Sequence, residues 1–396
     1  MVHETLKSAR RPVIIYGAGI HLAGAESEAV DFAHATGIPV APTWAALDVL
    51  PYDDPLFIGS FGTHGTRYGN FAVQNADLII AVGTRLDSKA TGSPPSSFAP
   101  KARIVMVDID LTEIRKFEKL DVKVEGICRD AKSWLSENTP REVSRFPEWL
   151  SKINDWKDKY PICPDKRHTV TQSIVNERDG HFAMRMTFEI NPYFLIKELS
   201  DVLEPGEMIC CDTGCAVAWM SQAFEFKSGQ RFIHAWNQTP MGYGLPAAVG
   251  AHYATGKRVI LVTGDGSIMV NVGELATIAG HQLPIKIVLF NNQGHAMCRQ
   301  TQREWLGGTY PSTSLEGGLC FPDFVKLGQA HAIDSWLINI NPAYYLKEML
   351  KDDKPKLLEA RIDPDCDVVP KVKYGFPNEC MYPLLDPEEQ KANMLI

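Results

Sequence analysis

The stretch "VILVTGDGSIMVNVGELATIAGHQLPIKIVLFNN", Val259 to Asn292, decides the fold. Two apolar runs bounded by turn residues flank a helix-like segment, which predicts a β-α-β unit with parallel strands. Parallel strands point the same way, so Asp265 just past the first run and Asn292 just past the second emerge at one sheet edge. A carboxylate and an amide oxygen form a hard, incomplete ligand set. It suits Mg²⁺ when water, a backbone carbonyl and diphosphate oxygens fill the other octahedral positions. Gly264 and Gly266 allow close backbone approach, and a helix expected to open at Ser267 turns its N–H groups and dipole toward an anion. By itself Gly-Asp-Gly is a turn and Asn-Asn a strand terminator. Their spacing across one β-α-β unit reads as a clamp for a diphosphate and its cation.

Working outward, 396 residues at 45% hydrophobic and 22% charged describe a globular protein of two or three domains. The net charge is -8 and Lys and Arg are scattered, so no nucleic-acid partner is expected. "MVHETLKSARRPVIIYG" carries no leader pattern and no run reaches the length of a membrane span. A cytoplasmic chain with no membrane association is expected. Nine cysteines without C-x-x-C spacing predict neither a disulfide framework nor a zinc site. Cys128, Cys210 and Cys211 lie in apolar segments, where a thiol packs as a small hydrophobe.

The fold class is α/β, with two doubly wound parallel-sheet domains. Residues 1–135 alternate strands ("PVIIYGAG", "GIPVAPTW", "ADLIIAVGTR", "ARIVMVDID") with helices such as "ESEAVDFAHAT". Residues 136–190 predict an amphipathic helix and an extended linker. Residues 191–370 resume the alternation with "NPYFLIKELSDVL", "EMICCDTG", "GYGLPAAVGAHYAT", the opening stretch and "KLLEARID". Residues 371–396 lack strand rhythm and read as a tail lying over a surface or an opening.

The Gly-Asp-Gly to Asn-Asn spacing resembles the diphosphate-binding motif of thiamine diphosphate enzymes. "CDTGCAVAW" is similar to the first phosphate-contacting turn of that domain, which implies contacts at Gly214, Cys215 and Ala216. "TPMGYGLPAAVGA" is similar to the segment whose methionine, here Met241, supports the bent cofactor. The same resemblance implies Gly264, Gly266 and Ser267 at the diphosphate. It implies Asp265, Asn292 and the carbonyl of Gly294 at the metal, with His295 against the diphosphate.

The first half resembles the central domain of the acetohydroxyacid synthase and pyruvate oxidase group, through "RPVIIYGAG", "GTHGTRYGNFAVQNADLIIAVGTRLDSKATG" and "VMVDID". That likeness implies an FAD site at Gly17, Gly19, Thr43, His64, Gly65, Gly83, Arg85 and Asp108. Lys89 stands where the family pattern has an arginine, whose planar fork a lysine does not reproduce. Thr301 stands where the branched-chain synthases carry an acceptor-selecting Trp. "RQTQ" and the ending "MYPLLDPEEQKANMLI" look more like acetolactate-synthase-like enzymes that use pyruvate and an activated keto sugar. The family's pyrimidine-binding domain carries the Glu that activates the cofactor, and only about ten residues precede the first strand. The resemblance therefore implies a split carboligase, at least dimeric, in which a separate chain supplies that Glu. A 2-keto acid decarboxylase and a non-catalytic cofactor-binding subunit are the alternatives. A dehydrogenase fits less well, because "YGAGIHLAG" misses the G-x-G-x-x-G spacing.

Overall fold

Pro12–Tyr16 (β1), Leu78–Val82 (β2), Arg103–Asp108 (β3) and Val124–Cys128 (β4) form a parallel sheet in the order β1-β2-β3-β4. β1 and β2 are buried along their whole length, as near-continuous apolar runs in a parallel sheet require. The computed structural model describes residues 6, 8–120, 122–140, 145–162, 168–176, 182–338 and 340–396, with 168–176 and 182–188 by backbone alone. The chain divides into two units, Met1–Ile162 with Phe226–Ser228 and Val369–Ile396, and Cys163–Glu225 with Gly229–Val368.

In the first unit "GIPVAPTW" is not a full strand. Val40 makes only isolated bridges to Ile14 and Phe57, because Pro39 and Pro42 have no N–H to give to the ladder. β4 was not read from the sequence, since its alternation is interrupted by Gly126, where a Cβ would fall 2.0 Å from the Ile114 side chain. Glu26–Thr36 (α1) runs from "ESEAVDFAHAT" and stops where Gly37 turns left-handed at φ +63°.

Arg67–Gln74 (α2) is buried at every residue, polar ones included, and the tail accounts for that burial. Asn70 Nδ2 donates to the Asn378 carbonyl at 2.8 Å, Gln74 Nε2 to Glu379 at 2.6 Å and Asn75 Nδ2 to the Asn393 carbonyl at 2.9 Å. The tail thus packs on its own domain through side-chain donors. Pro147–Lys159 (α3) adds Trp149, Ile153 and Trp156 to the same core, and Trp156 Nε1 donates to Asn393 Oδ1 at 2.9 Å. The expected linker is therefore not a separate piece. Its helix belongs to the first unit, and its extended part contains the antiparallel pair His168–Asn176 (β5) and Phe182–Ile190 (β6), assigned to the second. The stretches 141–144, 163–167 and 177–181 of that linker lie outside the described residues.

After β6 the second unit continues with Pro192–Val202 (α4), capped by Asn191 Oδ1, which accepts from the Tyr193 N–H. Its sheet contains Met208–Cys211 (β7), Arg231–Ile233 (β8), Val259–Gly264 (β9), Ile285–Asn291 (β10), Asp334–Leu337 (β11) and Lys356–Arg361 (β12). The order is β11-β12-β10-β9-β7-β8, all parallel. Cys215–Ala223 (α5), Gly244–Thr255 (α6), Asp265–Val270 (α7) and Ala296–Trp305 (α8) follow their strands. Among the described residues no helix is long and apolar enough to cross a membrane. The eight described cysteines are free; Cys210 and Cys211 are buried, but Cys128 at the end of the edge strand β4 is exposed, contrary to its apolar sequence setting.

Candidate functional site

Because β10, β9 and β7 are neighbours, the turns leaving their carboxyl ends lie side by side: Asn292–Gly294, Gly264–Gly266 and Asp212–Gly214. Asp265 and Asn292 are only 2% and 7% exposed. Asp265 Oδ1 accepts from the Gly266 N–H at 2.6 Å, and its Oδ2 from the Gly294 N–H at 3.1 Å. The amide oxygen of Asn292 faces only acceptors, Asp265 Oδ2 and the Gly294 carbonyl. Turning the amide over brings its nitrogen within 3.3 and 2.6 Å of those two oxygens. In that orientation the amide donates to both, so the three groups are held together by hydrogen bonds. One carboxylate, one amide and one carbonyl are the donor set of a hard cation rather than of zinc. No group of three His, Cys, Asp or Glu side chains suited to a metal occurs among the described residues.

Burial pushes the Asp265 carboxyl up to about 6, against the pull of the Gly294 and Gly266 N–H groups and the Arg299 charge. The helix after it starts at Asp265, two residues earlier than the sequence suggested. Gly-Asp-Gly already has helical geometry at its second residue, so the carboxylate sits in the first turn.

Two glycines of these turns, Gly214 and Gly264, open onto space. A Cβ on Gly214, which has φ +88°, or on Gly264 would meet nothing within 4 Å. At Gly266 it would fall 2.4 Å from the His295 ring and 3.1 Å from Met241 Cε. Met241 and His295 therefore converge on the same loop from opposite chain segments. Burial, with the Arg299 charge second, lowers the His295 pKa, which favours the uncharged ring. Cys215, Ala216 and Ser267 are buried in the first turns of α5 and α7.

Sequence reading missed Asp212. It is fully buried, and its carboxylate accepts from the Thr213, Gly242 and Gly244 N–H groups at 2.8, 3.0 and 2.9 Å. It also accepts from Ser267. One side chain thus joins the "CDTG" turn, the "MGYG" segment and the start of α7. An acid directly after an apolar strand was the available signal. Asn271 Nδ2, donating to the Gly242 carbonyl at 2.7 Å, reinforces the same segment.

In the first unit Gly17, Gly83 and Asp108 stand at the carboxyl ends of β1, β2 and β3, with Gly19 and Arg85 beyond them. These glycines are used by the fold. A Cβ on Gly17 would fall 2.5 Å from the Gly83 carbonyl, and one on Gly19 2.5 Å from Gly83 Cα. Gly65 is equally enclosed, by Phe61 at 2.4 Å. Arg85 pairs with Glu113 at 3.7 Å, and Asp108 accepts from the Asp110 N–H. The Thr43 N–H bonds the Tyr16 carbonyl and leads to Trp44, whose ring lies 5.6 Å from His64 and 5.4 Å from Lys89 Nζ. His64 Nε2 is buried without a hydrogen-bond partner. Burial, then the charges of Lys371 and Lys89, push the His64 pKa down to about 3, so its ring is neutral. That orphaned nitrogen is the feature of this region that fits a ligand.

Adjacent central strands of this parallel sheet thus end in carboxylate, amide and carbonyl groups beside open glycine turns, an arrangement with the chemistry to take a diphosphate and a hard cation. Residues 2–137 match the thiamine pyrophosphate enzyme central domain, and residues 212–360 match the thiamine pyrophosphate enzyme C-terminal TPP binding domain. The chain belongs to the thiamine pyrophosphate enzymes through these two domains.

It is 33% identical over 383 residues to the acetolactate synthase isozyme 2 large subunit of Escherichia coli K12, covering 96% of this chain and 64% of the relative. It is 32% identical over 396 residues to the acetolactate synthase large subunit of Parasynechococcus marenigrum, covering 99% and 58%. Against the Corynebacterium glutamicum acetolactate synthase large subunit the identity is 32% over 385 residues, covering 95% and 58%. The chain spans about six tenths of the length of these relatives.

Proposed function

We propose that this chain is the diphosphate-binding part of an acetolactate synthase-like carboligase, which decarboxylates a 2-keto acid such as pyruvate and transfers the two-carbon unit to a carbonyl acceptor. The observation that carries the reading is that the buried Asp265 and Asn292 and the Gly294 turn meet at adjacent strand ends beside the open Gly214 and Gly264 turns. When bound, thiamine diphosphate supplies a nucleophilic carbon that adds to a keto carbon and lets CO₂ depart. The residues of this chain bind and orient. Asp265, the Asn292 side chain and the Gly294 carbonyl hold Mg²⁺. Gly214, Cys215, Ala216, Gly264, Gly266 and Ser267 line the diphosphate, Met241 supports the cofactor, and the His295 ring packs against the loop. Thr301, whose hydroxyl bonds the Met297 carbonyl, leaves the acceptor side less bulky than a Trp would and suits a keto sugar.

The Glu that activates the cofactor belongs to a pyrimidine-binding domain, which is neither of the two domains matched here, and the assembly is at least dimeric and cytoplasmic. Pyruvate consumption with Mg²⁺ and thiamine diphosphate tests this, with the chain alone and with a pyrimidine-binding domain added. Activity that requires the added domain supports the reading; no cation-dependent cofactor binding by any mixture refutes it. A bound FAD in the first domain is a second reading, favoured by the unpartnered His64 Nε2. Flavin absorbance in the purified protein tests it, and its absence after incubation with FAD refutes it.

A further inference from the structure

Arg299 lies one turn into α8, directly after the triad of Asp265, Asn292 and Gly294, and is 9% exposed. Its Nη2 donates to the Asn292 carbonyl at 3.1 Å and to the Pro364 carbonyl at 2.6 Å. Its Nη1 would lie 3.0 Å from a Cβ on Gly294, and the Thr313 carbonyl oxygen would lie 2.4 Å from the same atom. The guanidinium therefore backs two of the three triad residues. It holds the Asn292 backbone oxygen on the far side while the Asn292 side chain faces Asp265.

The segment it reaches is itself fixed. Gln300 and Val368 exchange two hydrogen bonds, Nε2 to the carbonyl at 3.2 Å and N–H to Oε1 at 3.3 Å. Arg303 pairs with Asp367, and Trp219 Nε1 on α5 donates to the Asp367 carbonyl at 3.2 Å. Residues Pro364–Val368 thus join α8, behind the triad, to α5, behind the Gly214 turn. Arg299 is where this brace meets the triad.

We infer that Arg299 is a positioning residue that sets the geometry of the cation site and so its preference for a small octahedral ion. The inference rests on the cation reading proposed above. Two effects of removing Arg299 oppose each other. Losing a positive charge favours any divalent cation, whereas losing the brace loosens the triad. A comparison of two cations separates them, because charge acts equally on Mg²⁺ and Ca²⁺. Geometry does not: Mg²⁺ demands near-ideal octahedral ligands and Ca²⁺ tolerates a loose shell.

The experiment titrates Mg²⁺ and, separately, Ca²⁺ into the full chain with thiamine diphosphate, following tryptophan fluorescence, for wild type, Arg299→Met and Arg299→Lys. Outer-shell partners of metal ligands typically change metal affinity by about 10- to 100-fold. In Arg299→Met the preference for Mg²⁺ over Ca²⁺ should fall by about tenfold. Arg299→Lys, which retains the charge but donates without the fork, should fall between wild type and Met. It also carries the test should the Met variant not fold. An unchanged ratio of the two midpoints in either folded variant overturns the inference, whatever the absolute affinities do. A wild-type chain with no cation-dependent signal overturns the cation reading itself, and this inference with it.

Discussion

Replacing Asp265 by Asn should raise the stability of the cation-free protein at alkaline pH relative to its effect in acid. The carboxyl is raised from 3.8 to about 6, chiefly by burial. Its folded form therefore resists ionisation, and at about pH 8 the ionised group destabilises the fold by roughly 3 kcal/mol. The sign follows from the raised value: the penalty is complete above about pH 6, shrinks as the folded carboxyl takes up its proton, and vanishes below the unfolded value near 4. Asn is nearly isosteric and uncharged. It still offers an oxygen to one of the two N–H groups, from Gly266 and Gly294, that Asp265 accepts. Losing the other bond costs about 1–2 kcal/mol at either pH, so the difference between two pH values isolates the charge.

Urea unfolding in a chelator, at about pH 4.5 and pH 8, should show the variant-minus-wild-type stability rising by about 2 kcal/mol toward the higher pH. In thermal melts the same swing is roughly 4–8 °C for a domain of this size. An increment that is equal at the two pH values refutes the reasoning. A functional site that holds a buried charge in readiness for a cation trades stability for binding, so the more stable variant should also lose cation-dependent cofactor binding.

Two further outcomes test the open turns and the tail. Gly264→Ala adds a methyl that meets no protein atom within 4 Å at a φ of -93° that alanine adopts. Unfolding should change by less than about 1 kcal/mol, while thiamine diphosphate affinity measured by calorimetry falls at least about tenfold. Asn75→Ala removes the donor to the Asn393 carbonyl and the acceptor of the Leu395 N–H. It should cost about 1–3 kcal/mol in denaturant unfolding and open the last ten or so residues to limited proteolysis.

The sheet was legible in the sequence where strands are long, wholly apolar and followed by a signature turn. Val259–Gly264 and Ile285–Asn291 emerge almost as read, because fully buried parallel strands leave no room for polar interruption. Val40 and β4 were misread for local reasons: two prolines remove ladder donors at one, and a glycine under Ile114 breaks the alternation at the other. The tail could not be read at all from periodicity. What holds it is a set of Asn and Gln side chains on α2 and at its carboxyl cap, whose burial only the folded chain defines.

The same limit applies at the site. Asp265, Asn292 and Gly294 follow strand ends, so β-α-β geometry alone brings them near one another. Asp212 and Arg299 act through what they hold, three backbone N–H groups in one case and two carbonyls in the other. No spacing rule encodes a partner some 30 or 65 residues away. The glycines make the point most sharply, since identical letters at strand ends have opposite meanings in the two domains. Gly17 and Gly83 are small because other backbone fills the space, and Gly214 and Gly264 are small although no protein atom does. A motif states that a side chain is absent; only the packing states for whose benefit. At Gly214 and Gly264 the beneficiary is not the protein's own backbone, and that supports the diphosphate site proposed at the ends of β7, β9 and β10.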